Sequence, residues 1–130
     1  MVLPDTSVWV DYSRRGDKGA AAAMRELLDR GEVATCGPVA AEILAGAVGE
    51  VEERIWQTLD SLPWAELAPR AWRQVGTVAG ALRREGQTLP LTDVTIAVAA
   101  ARAGHALWSF DSDFERLRAA LPDLALYEPS

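Results

Sequence analysis

The chain is poor in the residues on which several kinds of chemistry depend. It holds one cysteine, Cys36, one histidine, His105, and one lysine, Lys18, among 130 residues. A lone cysteine excludes an internal disulfide and fits a reducing cytoplasm. Without a cluster of Cys and His, the soft-ligand metal centres have nothing to bind them. No stretch approaches the ~20 uninterrupted apolar residues of a membrane span. The opening Met1-Val2-Leu3-Pro4-Asp5 lacks the basic and apolar regions of a secretion signal. Repeats and low-complexity linkers are missing too, so one domain over residues 1–130 is expected. An excess of positive charge is also lacking. The net charge of −6 argues against a nucleic-acid binder of the usual basic kind. Two bound divalent cations would cut it to −2, so the argument weakens at any acidic metal site.

What is present is a globular alternation of short apolar runs with longer helical patterns. That order favours a three-layer α/β/α fold around a central parallel sheet of about five strands. The expected strands are Val2–Pro4, Glu32–Cys36, Trp64–Leu67, Ala106–Ser109 and Leu124–Tyr127. A short helix follows Asp5, and a second spans Ala20–Arg30, stopped by Gly31. Pro38 suits the first turn of a third helix, to about Ala45. Val51, Ile55 and Leu59 mark a fourth over Glu50–Ser61. Pro69 opens a long helix to about Arg84, and Thr92 caps Asp93–Ala103. Ser112-Asp113-Phe114-Glu115 reads as a capping box for Asp113–Ala120.

Four acids stand where a structural protein would put something else. Asp5 ends the first strand and Asp111 follows the run Ala106–Phe110. Ligands collect beyond the carboxyl ends of strands in an open parallel sheet. Glu42 shares a helix face with Val39, Ile43 and Gly46, and Asp93 one with Ile96, Ala97 and Ala100. Each acid also has a plainer explanation. Asp5, Asp111 and Asp113 are good helix caps. Asp93 complements the positive end of its helix. Glu42 has twelve arginines with which to form a buried pair. Together the four are harder to explain singly. Two carboxylates ~5 Å apart repel by roughly 3 kcal/mol at an effective dielectric near 20. Their convergence forces protonation or recruits a cation, and hard oxygens suit Mg²⁺, with Mn²⁺ as a substitute.

The pattern resembles the PIN-domain ribonucleases, and most closely the VapC-like toxins of bacterial toxin–antitoxin pairs. The likeness covers nearly the whole chain. It rests on Asp5-Thr6-Ser7 after a short strand and Glu42 in a helix some forty residues on. It continues with Asp93 in Leu91-Thr92-Asp93-Val94-Thr95-Ile96-Ala97 and Asp111 in Ser109-Phe110-Asp111-Ser112-Asp113-Phe114. It implies Mg²⁺-dependent cleavage of RNA to 5′-phosphate and 3′-hydroxyl ends, inhibition by a cognate antitoxin, and a homodimer. Asp5, Asp93, Asp111 and Glu42 would be the catalytic, metal-binding acids, with Asp113 a fifth. Ser7 and Ser109 would orient carboxylates. Ser112 departs from relatives that carry a basic residue between the two aspartates.

Sequence preference should come from elsewhere. Arg14, Arg15 and Lys18 form one basic group and Arg83 with Arg84 another, both candidates for RNA contact and both explicable as solvated charge. Trp9 and Trp56, with neighbouring aliphatics, could line a groove for an antitoxin helix. Phosphate hydrolysis through an aspartyl intermediate is disfavoured. It needs an acid at position 7, which is Ser7, and a lysine near the later strands. The same acids would also be compatible with a catalytically silent PIN-like module that binds RNA or protein, or with a housekeeping RNA-processing nuclease.

Overall fold

The first strand lies wholly in the interior. In the computed structural model, which describes residues 1–129, Val2, Leu3 and Pro4 are all buried. Successive strand residues point to opposite faces, so both faces of this strand are covered, as in parallel sheets. β1 (Val2–Pro4) pairs in parallel with β2 (Ala106–Trp108), and β2 with β3 (Ala125–Leu126), giving the order β1-β2-β3. Among the described residues seven helices cover them: α1 Thr6–Arg14, α2 Ala20–Asp29, α3 Gly37–Ala45, α4 Gly49–Asp60, α5 Ala71–Arg84, α6 Leu91–Ala103 and α7 Asp113–Ala120. α6 is the central one, with Val94 to Ala100 buried without interruption and contacts to β2, α3, α5 and α7.

The α/β architecture is as expected, but the sheet has three strands rather than about five. The segments around Val33 and Trp64 contribute only isolated parallel bridges, Val2↔Val33 and Thr35↔Trp64. The chain there has no room to extend. Gly37 and Pro38 turn it into α3 straight after Cys36, and Pro63 brings no N–H to the ladder. The carbonyl of Pro63 still accepts from the Thr35 N–H at 3.0 Å, and Ala65 N–H donates to Thr35 O at 2.7 Å.

Helix starts also shift. α5 begins at Ala71, after a tight turn in which Ala71 N–H donates to Ala68 O. α6 begins at Leu91, because the Pro90 carbonyl accepts from both Asp93 and Val94 N–H. Thr92 therefore lies inside the helix and caps nothing. The capping box at Ser112 does not form either. The Ser112 side chain makes no cap bond, and Asp111 Oδ1 accepts the Asp113 N–H at 2.9 Å instead. None of the helices described is long and apolar enough to cross a membrane.

Candidate active site and metal centre

Asp5 is both a cap and a site residue. Its Oδ1 accepts the Val8 N–H at 3.3 Å, closing the N-terminus of α1, so the plainer capping role is real. The same carboxylate is also held by two hydroxyls. Ser7 Oγ donates to Oδ1 at 2.6 Å, and Ser109 Oγ, 104 residues away, donates to Oδ2 at 2.5 Å. Each serine oxygen in turn accepts a backbone N–H, Ser7 from Phe110 at 3.1 Å and Ser109 from Asp111 at 2.9 Å. Those amides occupy the acceptor side, so both hydroxyl hydrogens are aimed at Asp5. The carboxyl ends of β1 and β2 are thereby laced together around one buried acid.

Asp93, half-buried in the first turn of α6, lies within reach of the charges of the other acids. Its carboxyl is pushed up to about 6, first by burial, then by the charges of Asp111, Asp5, Glu42 and Asp113. All four neighbours act on it, so the strand-end and helix acids do converge. Asp93, Asp111 and Asp113 offer carboxylate oxygens within 4.8 Å of one another. Glu42 stands exposed on α3, accepting from Thr6 Oγ1 at 3.0 Å. Among the described residues, Asp5, Glu42, Asp93 and Asp111 have no salt-bridge partner, so the buried Glu–Arg pair considered for Glu42 is not realised. Asp113 differs, because Arg116 pairs with it one helical turn on. A set of hard oxygens, crowded enough to lift one carboxyl to about 6 and largely without balancing bases, fits a divalent cation.

The two single residues of metal-binding type stay outside. Cys36 is fully buried, its thiol pushed up to about 11 mainly by burial. His105 is half-buried, and burial together with the nearby N-terminal amine lowers its pKa. It therefore lies at the amino end of the strands, opposite the acids.

Of the basic candidates, Lys18 touches a neighbour of the acids: its Nζ lies 5.4 Å from the centre of the ring of Phe110, the residue before Asp111 in the chain. Arg14 and Arg15 are exposed at the end of α1, and Arg83 and Arg84 at the end of α5. No described hydrogen bond or ion pair ties these four arginines to the acids. The groove beside α1 exists, about 220 Å³, lined by Trp9, Tyr12, Ile43, Arg54, Ile55 and Leu59 among others. Trp56 is not part of it; it packs edge-on against Trp64. Two residues that hold parts of this arrangement are not evident from sequence. Thr6, which positions Glu42, stands inside the Asp5-Thr6-Ser7 motif, where only its neighbours draw notice. Asp11, a buried acid on α1, gives no sequence signal beyond its charge.

An α/β domain that gathers carboxylates from strand ends and helices, most of them without a base, offers a set of oxygens that could hold a cation. The chain belongs to the PIN domain family, whose model matches residues 2–120. Ribonuclease VapC11 of Mycobacterium tuberculosis is similar to it, 35% identical over 122 residues that cover 88% of this chain and 90% of the relative. Among solved structures, VapBC2 from Rickettsia felis, bound to a DNA fragment from its promoter, covers 98% of both chains with a TM-score of 0.73 at 19% identity. A toxin–antitoxin complex from Klebsiella pneumoniae covers 99% of this chain and 100% of its own, TM-score 0.68 at 21% identity. Those two likenesses concern the fold.

Proposed function

We propose that this chain is a metal-dependent endoribonuclease, the toxin of a toxin–antitoxin pair, working in the cytoplasm. The observation that carries this reading is Asp93, whose carboxyl feels all four other acids at once while most of them lack a counter-charge. The ribonuclease relative at 35% identity supports the substrate class. Asp93, Asp111 and Asp5, with Glu42 and the Arg116-paired Asp113 beside them, would hold Mg²⁺ or Mn²⁺. Bound there, such an ion supplies an activated water and offsets the charge that builds on the phosphate.

The chain's own residues do the rest. Ser7 and Ser109 hold Asp5 in one orientation, so its oxygens need not reorganise during the reaction. Thr6 does the same for Glu42 from the rim. Attack by water forms a new P–O bond and breaks the bond to the 3′ oxygen, which leaves with a proton. The ends are therefore 5′-phosphate and 3′-hydroxyl, with no part for the 2′-hydroxyl. The test is incubation of the purified chain with mixed RNAs and Mg²⁺ or Mn²⁺, followed by mapping of the ends. Cleavage that stops with chelator is expected. RNA binding without any cleavage would instead mark a silent module and end the nuclease reading.

The antitoxin would occupy the groove between α1 and α4. Trp9 is buried there, its indole N–H lacks a partner within the protein, and Arg54 lines the same wall. An apolar helix with an acceptor for the indole and an acid for Arg54 suits this chemistry. Ile55→Asp is expected to weaken capture of the cognate antitoxin at least a hundredfold, by calorimetry, while RNA cleavage without antitoxin stays unchanged. Equal antitoxin affinity would move the partner elsewhere. The expected homodimer would draw on other exposed apolar side chains, such as Trp72 and Leu91.

A further inference from the structure

Asp11 is an acid with a task that the cluster does not explain. It lies on α1, 9% exposed, and its carboxylate is spent entirely on the loop that follows. Oδ1 accepts the Lys18 N–H at 3.2 Å, and Oδ2 accepts the Ala20 N–H at 2.9 Å. The second bond caps α2, whose own N-cap residue, Gly19, has no side chain to do so. The Asp11 carbonyl takes the Gly16 N–H at 2.8 Å. A methyl group at Gly16 would stand 2.1 Å from Asp11 Oδ1, so any side chain there must displace the carboxylate. Residues 15–19 are thus folded around one carboxylate.

The outcome is the placement of the only lysine. Held at its backbone by Asp11, Lys18 lays its ammonium over Phe110. Phe110 N–H bonds Ser7 Oγ, and Ser7 holds Asp5. A cleft of about 390 Å³, lined by Ser7, Val10, Asp11, Arg14, Gly16 and Lys18, opens from the same place. No described carboxylate pairs with the ammonium. An all-acid site repels a polyanion, so a substrate with phosphates on either side of the scissile one needs a cation close by. A lysine already settled on an aromatic face loses less freedom when it binds.

We infer that the Asp11-folded loop sets Lys18 as the cation that receives an RNA backbone phosphate beside the acids, with Asp11 as its positioning residue. This rests on the ribonuclease reading above. Affinity for a labelled single-stranded RNA is measured across a salt series in the Asp93→Asn background, where cleavage does not interfere. Lys18→Ala is expected to weaken binding severalfold and to reduce the salt slope by about 0.7, the loss of one single-strand phosphate contact. Asp11→Asn removes a negative charge, so on charge alone it would tighten binding. The inference requires the reverse: most of the Lys18→Ala loss, and no further loss when the two changes are combined. Gly16→Ala, which displaces the Asp11 carboxylate without altering charge, should follow Asp11→Asn, and melting curves check that all variants fold. Tighter binding by Asp11→Asn, an Asp11→Asn loss that persists without Lys18, or an unchanged slope for Lys18→Ala would overturn the inference while leaving the nuclease reading intact. A parent protein that neither cuts nor binds RNA would overturn both.

Discussion

Asp93→Asn should abolish RNA cleavage, by a factor of about 10³ or more, and at the same time make the metal-free protein more stable. The two effects have one origin. Asp93 sits among Asp111, Asp5, Glu42 and Asp113, and their repulsion together with burial raises its carboxyl to about 6. An amide of the same shape removes that repulsion at neutral pH. The side chain is half-exposed, so solvent screens much of the effect, and a gain of roughly 1 kcal/mol is expected. That corresponds to about 3–4 °C in melting temperature for a domain of this size.

Asp5→Asn provides the contrast. It too should eliminate cleavage, but with the opposite sign in stability. Asp5 accepts bonds from Ser7, Ser109 and Val8, and an amide cannot accept on both sides. Leaving a part-buried hydroxyl without its acceptor costs about 1–3 kcal/mol. Two dead variants, one hotter-melting and one cooler-melting in chelator, would separate a cation site from a structural cap. If Asp93→Asn melts no higher than the parent, or retains full activity, Asp93 is not the centre of the site.

How much of this was legible in the residues depends on the range of the interaction involved. Asp5 and Asp111 could be placed because each ends an apolar run, a local signal that survives without knowledge of the fold. Asp93 was visible through its spacing from Ile96, Ala97 and Ala100, all three of which are buried. The sheet was overcounted because Glu32–Cys36 and Trp64–Leu67 have strand composition but meet their neighbours at single bridges. Pairing length is decided by where the chain must turn, here at Gly37 and Pro63, and composition does not record it. The start of α6 differs for a similar reason, while α7 starts where expected but under another cap: the carbonyl of Pro90 and the side chain of Asp111 take the parts expected of Thr92 and Ser112. Asp11 was missed because its partners are backbone N–H groups seven and nine residues on, and no side-chain pattern announces those.

The pH at which the protein accepts Mg²⁺ should follow Asp93. Its folded value of about 6 lies above the 3.8 of an ordinary aspartate. Between those two values the folded chain holds a proton that the unfolded chain has released. The contribution of Asp93 to the stability of the metal-free protein therefore falls as pH rises through this window and levels off above it. A divalent cation needs the same oxygens without the proton, so its affinity should rise as pH climbs through about 6. At pH 5, where about one Asp93 in eleven is ionised, a given Mg²⁺ concentration should supply about half the stabilisation that it supplies at neutral pH. At pH 7.5, a concentration a hundred times the dissociation constant adds about 2.7 kcal/mol, or roughly 8–10 °C. Cleavage should drop close to tenfold for each pH unit below 6 and be flat above 7. In Asp93→Asn the fall in metal-free stability between pH 4 and 6 should disappear, since the titrating group is gone. Melting curves with Mg²⁺ and with chelator, taken across that range for both proteins, give the comparison. Equal Mg²⁺ shifts at pH 5 and 7.5 would mean that the ion, if it binds, sits on oxygens other than these.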